Sequence, residues 1–131
     1  MAKYLYPAVF TKEESGYSVS FPDVSGCFTS GETLEEAVEM AKDALCLMIY
    51  ELEEEGAAIP AASPVNDVPH DENSFVSLVG CDTLAYRRFF DNKAVKKTLT
   101  IPSWLNDMAE RANVNFSGVL QEALKAKLNI G

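Results

Sequence analysis

The chain has 131 residues, 47% of them hydrophobic, and carries 20 Asp and Glu against 11 Lys and Arg for a net charge of −9. That length holds one real core and a smaller appended module, not two full-sized domains. No apolar run approaches membrane-spanning length, and the opening MAKYLYPAVF has too short an apolar stretch and no cleavage-type end for a secretory signal, so a cytoplasmic protein with no membrane partner is expected. Cys27, Cys46 and Cys81 lie far apart with no C-x-x-C pair, which argues for free thiols and against a metal cluster; no cofactor is expected.

The charge is unevenly spread. Residues 1–92 hold 5 Lys and Arg against 17 Asp and Glu, a balance of −12, while residues 93–131 hold 6 against 3, a balance of +3, and the two give the total of −9. An acidic front and a basic tail point to two partners of opposite charge, although the front alone is equally explained by solubility.

In chain order, Tyr4–Phe10 is apolar and aromatic and reads as a strand, Glu13–Gly16 as a hairpin turn, and the alternating YSVSF of Tyr17–Phe21 as the return strand. PDVSG turns again, and CFTSG offers a short edge segment. Thr33 and Glu36 form a T-x-x-E capping box ahead of a helix on which Leu34, Val38, Ala41, Leu45, Met48 and Leu52 recur at helical spacing, ended by Gly56. Residues 57–74 contain three prolines and no period, as expected of an extended connector. Phe75–Val79 is a further strand. The segment TLAYRRFFDNKAV has no decisive pattern, and residues 81–94 are taken as a linker.

The tail begins with KKTLTIPSWL. Leu99 and Ile101 share one parity and Lys96, Thr98 and Thr100 the other, so Lys96–Ile101 reads as a strand with a buried face and a polar face, stopped by Pro102. Ser103 is placed to cap a helix running to about Ala112 with Leu105, Met108 and Ala109 apolar. After the NVN turn, Asn115 is placed to cap a second helix through Leu128, with Val119, Leu120, Ala123 and Leu124 apolar. One strand and two short helices cannot close a core alone, and the strand needs a ladder partner. Antiparallel pairing with a second copy solves both problems, with Leu99, Ile101, Leu105, Leu120 and Leu124 in the shared core. The outward ribbon of Lys96, Thr98 and Thr100 then fits a DNA major groove, with amides at Asn115, Phe116 and Ser117 available to a backbone phosphate. Lys97, on the core parity, is expected to extend to the rim.

The tail is similar to ribbon-helix-helix repressors through Leu99, Ile101, Pro102 and NVNFSGVLQEAL, with one departure: Gly118 stands where that family commonly has an acid, so the reciprocal capping box is lost. The whole chain resembles the HicB antitoxin family through YPAVF, GYSVSFPDVSGCFTSGETLEEAVEMAKDAL and the later Ile59–Pro60. The resemblance implies an α+β architecture: a partial ribonuclease-H-like β-β-β-α-β domain over residues 1–80 that blocks a small basic HicA-like mRNA-cleaving toxin, and a β-α-α ribbon-helix-helix module over residues 95–131 that binds operator DNA as a homodimer, with tetramer formation left open, and represses its own operon. It does not say which acids would touch the toxin. Two other readings stand beside it. One is a toxin-blocking module with no DNA function. The other is a residual nuclease, which needs carboxylates converging on a metal; the first strand has none, and the lone His70 lies in the proline-rich connector with no nucleophile beside it.

Overall fold

The computed structural model describes residues 3–130 and separates the chain into two units, Met1–Lys93 and Ala94–Gly131. The first unit is α+β. Strands β1 (Lys3–Glu13), β2 (Gly16–Ser20), β3 (Phe28–Gly31) and β4 (Ser74–Asp82) form an antiparallel sheet in the order β3-β2-β1-β4. β1 meets β2 from Val9↔Ser20 to Glu13↔Gly16, and β4 from Lys3↔Asp82 to Thr11↔Ser74. Pro7 therefore lies in a stretch of β1 where the ladder to β2 has not yet begun. There the missing proline N–H leaves no rung empty on that side. Alternation sends Tyr6, Ala8 and Phe10 of β1, Val19 of β2, and Val79 and Cys81 of β4 into one core.

Helix α1 (Leu34–Glu55) covers that face. Thr33 caps it as expected, its Oγ1 accepting from the Glu36 N–H at 3.1 Å, and Gly56 ends it in the left-handed region at φ 68°. Its buried stripe differs from the expected one. Ala37, Ala41, Leu45 and Ile49 face the core, whereas Leu34 and Val38 are 42% and 44% exposed. The reason is closeness of approach. A Cβ on Gly31 of β3 would come within 2.4 Å of the Ala37 backbone nitrogen, so only small residues serve where α1 lands on the sheet.

The connector has one 3₁₀ turn at Val65–Asp67 and a tight turn at Glu72–Asn73 that leads into β4. It is tied down at both edges of the core. The Tyr6 hydroxyl donates to the Pro60 carbonyl at 2.5 Å, and the Ser63 N–H and hydroxyl donate to the Asp23 carboxylate at 2.8 and 2.6 Å.

Residues 81–94, expected as a linker, instead contain the end of β4 and helix α2 (Thr83–Phe90). Asp82 caps this helix, its carboxylate accepting from the Leu84 and Ala85 N–H groups at 3.1 Å each. Glu53 of α1 holds it in place. That carboxylate accepts from the Tyr4 hydroxyl at 2.8 Å, the buried Thr83 hydroxyl at 3.0 Å and Arg87 Nη2 at 3.0 Å. Arg87 also pairs with Glu54 and lies 4.6 Å over the Tyr50 ring. Those that hold it to α1 and β1 are 30 or more residues apart in sequence, beyond the reach of any local pattern.

In the second unit, α3 (Ser103–Arg111) and α4 (Phe116–Lys127) are joined through Asn113 at φ 55°, a left-handed position that asparagine tolerates. Ser103 is the first helical residue of α3 rather than its cap; Pro102 occupies the cap position and makes no side-chain bond there. Residues 91–102 have no regular structure in the single chain, so the expected strand Lys96–Ile101 has no ladder within it. A strand is defined by its neighbour, and the fold of one chain supplies none here.

The Glu53 cluster makes stability depend on pH. Burial opposes its ionisation, but hydrogen bonds, those from Tyr4, Arg87 and Thr83 among them, hold its carboxyl down from 4.5 to about 2. A depressed carboxyl contributes stability that is present above its ordinary value and lost as pH falls through the folded one. Urea unfolding is expected to show this loss between about pH 4.5 and 2, and the Glu53→Gln chain to start from a lower midpoint near neutrality and to lose less across that window. Equal slopes for the two chains would show that this carboxylate is not the group responsible.

Candidate functional site

The tail residues singled out by their alternation, Lys96, Thr98 and Thr100, are exposed along the segment that precedes α3. Leu99 and Ile101 on the opposite parity are 59% and 46% exposed, and neither α3 nor α4 has a buried residue. Apolar side chains in this unit are thus gathered but not covered. Leu99 and Ile101 line a groove of about 590 Å³ with Phe116, Val119, Leu120 and Ala123. Of the five residues assigned to a shared core, the groove brings together Leu99, Ile101 and Leu120, while Leu105 and Leu124 lie outside it, 41% and 51% exposed. Lys97 lines the groove as well, in keeping with its parity.

At the start of α4 the Asn115 side chain accepts from the Gly118 N–H at 3.1 Å, so its oxygen acts as a helix cap. The Phe116 and Ser117 amides have no acceptor among the described residues, and this first turn carries no acid to repel an anion. Gly118 has a packing role that the departure from the family pattern concealed. A Cβ there would meet the Asn115 amide nitrogen at 3.0 Å, so the glycine leaves room for the cap that replaces the reciprocal box. Trp104, 64% exposed at the start of α3, carried no signal in the sequence beyond being the lone tryptophan.

The front unit offers a different kind of surface. Glu36, Glu39, Asp43, Glu51 and Glu54 follow the outward side of α1, interrupted by Met40 and Leu47 at 41% and 44% exposure. Phe89 and Phe90 at the end of α2 are 79% and 67% exposed and belong to a run of ring contacts through Tyr86 to Tyr50. Asp23 is committed to Ser63, and Glu53 to its buried cluster, so these two acids serve the fold. His70 makes only a 3.4 Å contact from Nδ1 to the Val68 carbonyl, and no group of three or more His, Cys, Asp or Glu among the described residues is arranged to hold a metal. No helix among the described residues is long and apolar enough to cross a membrane.

The arrangement has relatives. Residues 6–127 match the family model for the HicB-like antitoxin of bacterial toxin-antitoxin systems. Antitoxin HicB of Escherichia coli strain K12 is 44% identical over 66 residues, which are 50% of this chain and 48% of that one. Among solved structures, a chain of the toxin-antitoxin complex from Streptococcus pneumoniae superposes with a TM-score of 0.61 at 29% identity, covering 95% of this chain and 99% of that one. A chain of the HicA3 and HicB3 toxin-antitoxin complex does so with a TM-score of 0.52 at 27% identity, covering 60% and 99%. With the family model matched over residues 6–127, the chain belongs to the HicB-like antitoxins, a family of antitoxins and not of enzymes.

Proposed function

We propose that the front unit binds and neutralises a HicA-like, mRNA-cleaving toxin, and that the tail pairs with a second copy as a ribbon-helix-helix module to bind operator DNA and repress the operon. The observation that carries the DNA half is the coincidence, in one short unit, of an uncovered apolar groove with a polar, acid-free edge. Pairing Lys96–Ile101 antiparallel across a two-fold axis places Leu99 and Ile101 of each chain over the groove residues of the other. The same pairing collects Lys96, Thr98 and Thr100 from both chains into one ribbon of the width that a major groove admits. The unoccupied amides of Phe116 and Ser117 suit a phosphate on either side.

The toxin half rests on family membership and on charge. A protein that grips RNA presents cations, and a front region of −12 attracts it and competes with its substrate. The outward acids of α1, spaced by Met40 and Leu47, have the mixed character of an interface that steers by charge and holds by burial.

Gel-shift titration on the DNA upstream of the operon tests the tail. Thr98→Ala and Thr100→Ala are expected each to weaken operator binding by ~1–3 kcal/mol while leaving non-specific binding unchanged. Lys96→Ala, if it loses a phosphate contact, weakens all sequences alike and lowers the salt slope by about one per chain. Operator affinities equal to wild type for both threonine variants would remove this face from DNA recognition and leave a toxin-blocking module alone. Assembly is tested separately. Leu99→Asp puts a charge into the shared core at a cost of several kcal/mol, on the order expected for an unpaired buried ion. Light scattering is expected to report a loss of dimer and gel shifts a loss of operator binding, with toxin neutralisation in growth rescue retained. A Leu99→Asp chain that still dimerises through the tail would overturn the pairing.

A further inference from the structure

Helices α1 and α2 together carry a surface that the core does not use. Asp43, Leu47, Tyr50 and Glu54 follow at intervals of three and four residues and so form one outward ridge of α1. The Tyr50 ring lies 5.1 Å from that of Tyr86 on α2, Tyr86 lies 4.6 Å from Phe90, and Phe90 lies 4.7 Å from Phe89. Leu47 thus opens a run of apolar and aromatic side chains that crosses both helices and stops at the end of α2. The run stays in water: Leu47 is 44% exposed, Phe90 67% and Phe89 79%. Clustered aromatic rings left this open are characteristic of the centre of a protein interface. The patch is also held firmly. Asp82 caps α2, and Arg87 joins it to Glu53 and Glu54 and lies over the Tyr50 ring, so little freedom remains to be lost when a partner arrives.

The rim of the patch is acidic. Asp43 and Glu54 flank Tyr50 along the ridge, and Asp91, just past α2, accepts from the Tyr50 hydroxyl at 3.3 Å. Of the two cations on α2, Arg87 is committed to Glu53 and Glu54. Arg88 is two residues from both Tyr86 and Phe90, hence on the other side of the helix, where it lines a small cleft with Leu84 and Ala85. This charge decides the occupant. Two copies of the patch facing each other across a two-fold axis would oppose the same acids, and DNA or an anionic lipid surface would be repelled as well. A cationic protein is attracted. We propose that the basic toxin docks here, with Phe89 and Phe90 entering its apolar surface and Asp43, Glu54 and Asp91 meeting cations around it. The proposal rests on the reading of the front unit as a toxin-binding domain and locates the contact on that unit.

The test uses the full chain and the purified toxin encoded in the same operon, with binding followed by surface plasmon resonance and neutralisation by protection of mRNA from cleavage. Phe89→Ala and Phe90→Ala are each expected to weaken toxin binding by about tenfold or more, mainly through faster dissociation, and to lessen protection of the mRNA. The Asp43→Asn, Asp91→Asn double variant is expected to slow association about threefold or more at low salt and to match wild type at high salt. Phe28→Ala, at a residue 73% exposed on the opposite edge strand β3, is expected to bind as wild type does. Urea midpoints check that the variants fold; should Phe90→Ala lose stability with its Tyr86 contact, the more exposed Phe89 decides alone. Wild-type toxin affinity in a folded Phe89→Ala chain would overturn the docking site and leave toxin binding by the front unit standing. If wild type itself does not bind the toxin, the site and the reading beneath it fall together. Light scattering of the same chains separates a second copy: a lower assembly mass in Phe89→Ala with unchanged toxin binding would assign the patch to self-association and overturn the proposal.

Discussion

Apolar surface that a chain cannot cover with its own residues governs this molecule. In the tail, two helices together bury none of their residues, and Leu99 and Ile101 precede them on a segment without a ladder. Water penalises both conditions, through exposed hydrocarbon and through backbone groups without partners. The front unit exposes apolar side chains too, but it also buries a core: Tyr6, Phe10, Val19, Leu45 and Ile49 lie almost entirely out of water. One half of the protein thus closes a core of its own, while the other leaves its apolar residues uncovered within the single chain.

Within the front unit, local sequence and distant contacts divide the work differently from element to element. The T-x-x-E box and the helical period made α1 readable, and the capping bond at Thr33 is where the spacing put it. Its inward face was less readable because hydrophobicity ranks Leu34 and Val38 above Ala37. The approach of α1 to Gly31 selects for size instead, a quantity that only the assembled sheet and helix define. Helix α2 was less readable still, since Asp82 at its cap is a local signal but not what seats it. It depends on Glu53 reaching Thr83 and Arg87 across 30 and 34 residues, and a window along the sequence does not contain that carboxylate.

The tail inverts this pattern. Its alternation stands out in the sequence, yet residues 91–102 have no regular structure in the single chain, because no other segment of it offers them a ladder. The role of Gly118 became visible only with the Asn115 side chain in place, because the loss of an acid and the gain of space look identical in a string of letters.

The exposed stretch from residue 91 to residue 102 has a consequence for how the two units survive proteolysis. Proteases cleave backbone that they can draw into an extended form, and this stretch offers it without prior unfolding, whereas the connector at 57–74 is strapped by Tyr6 and Asp23. A single cut in the open stretch would sever the tail from the front unit and leave the core of the front unit, with its capped and buttressed helices, whole.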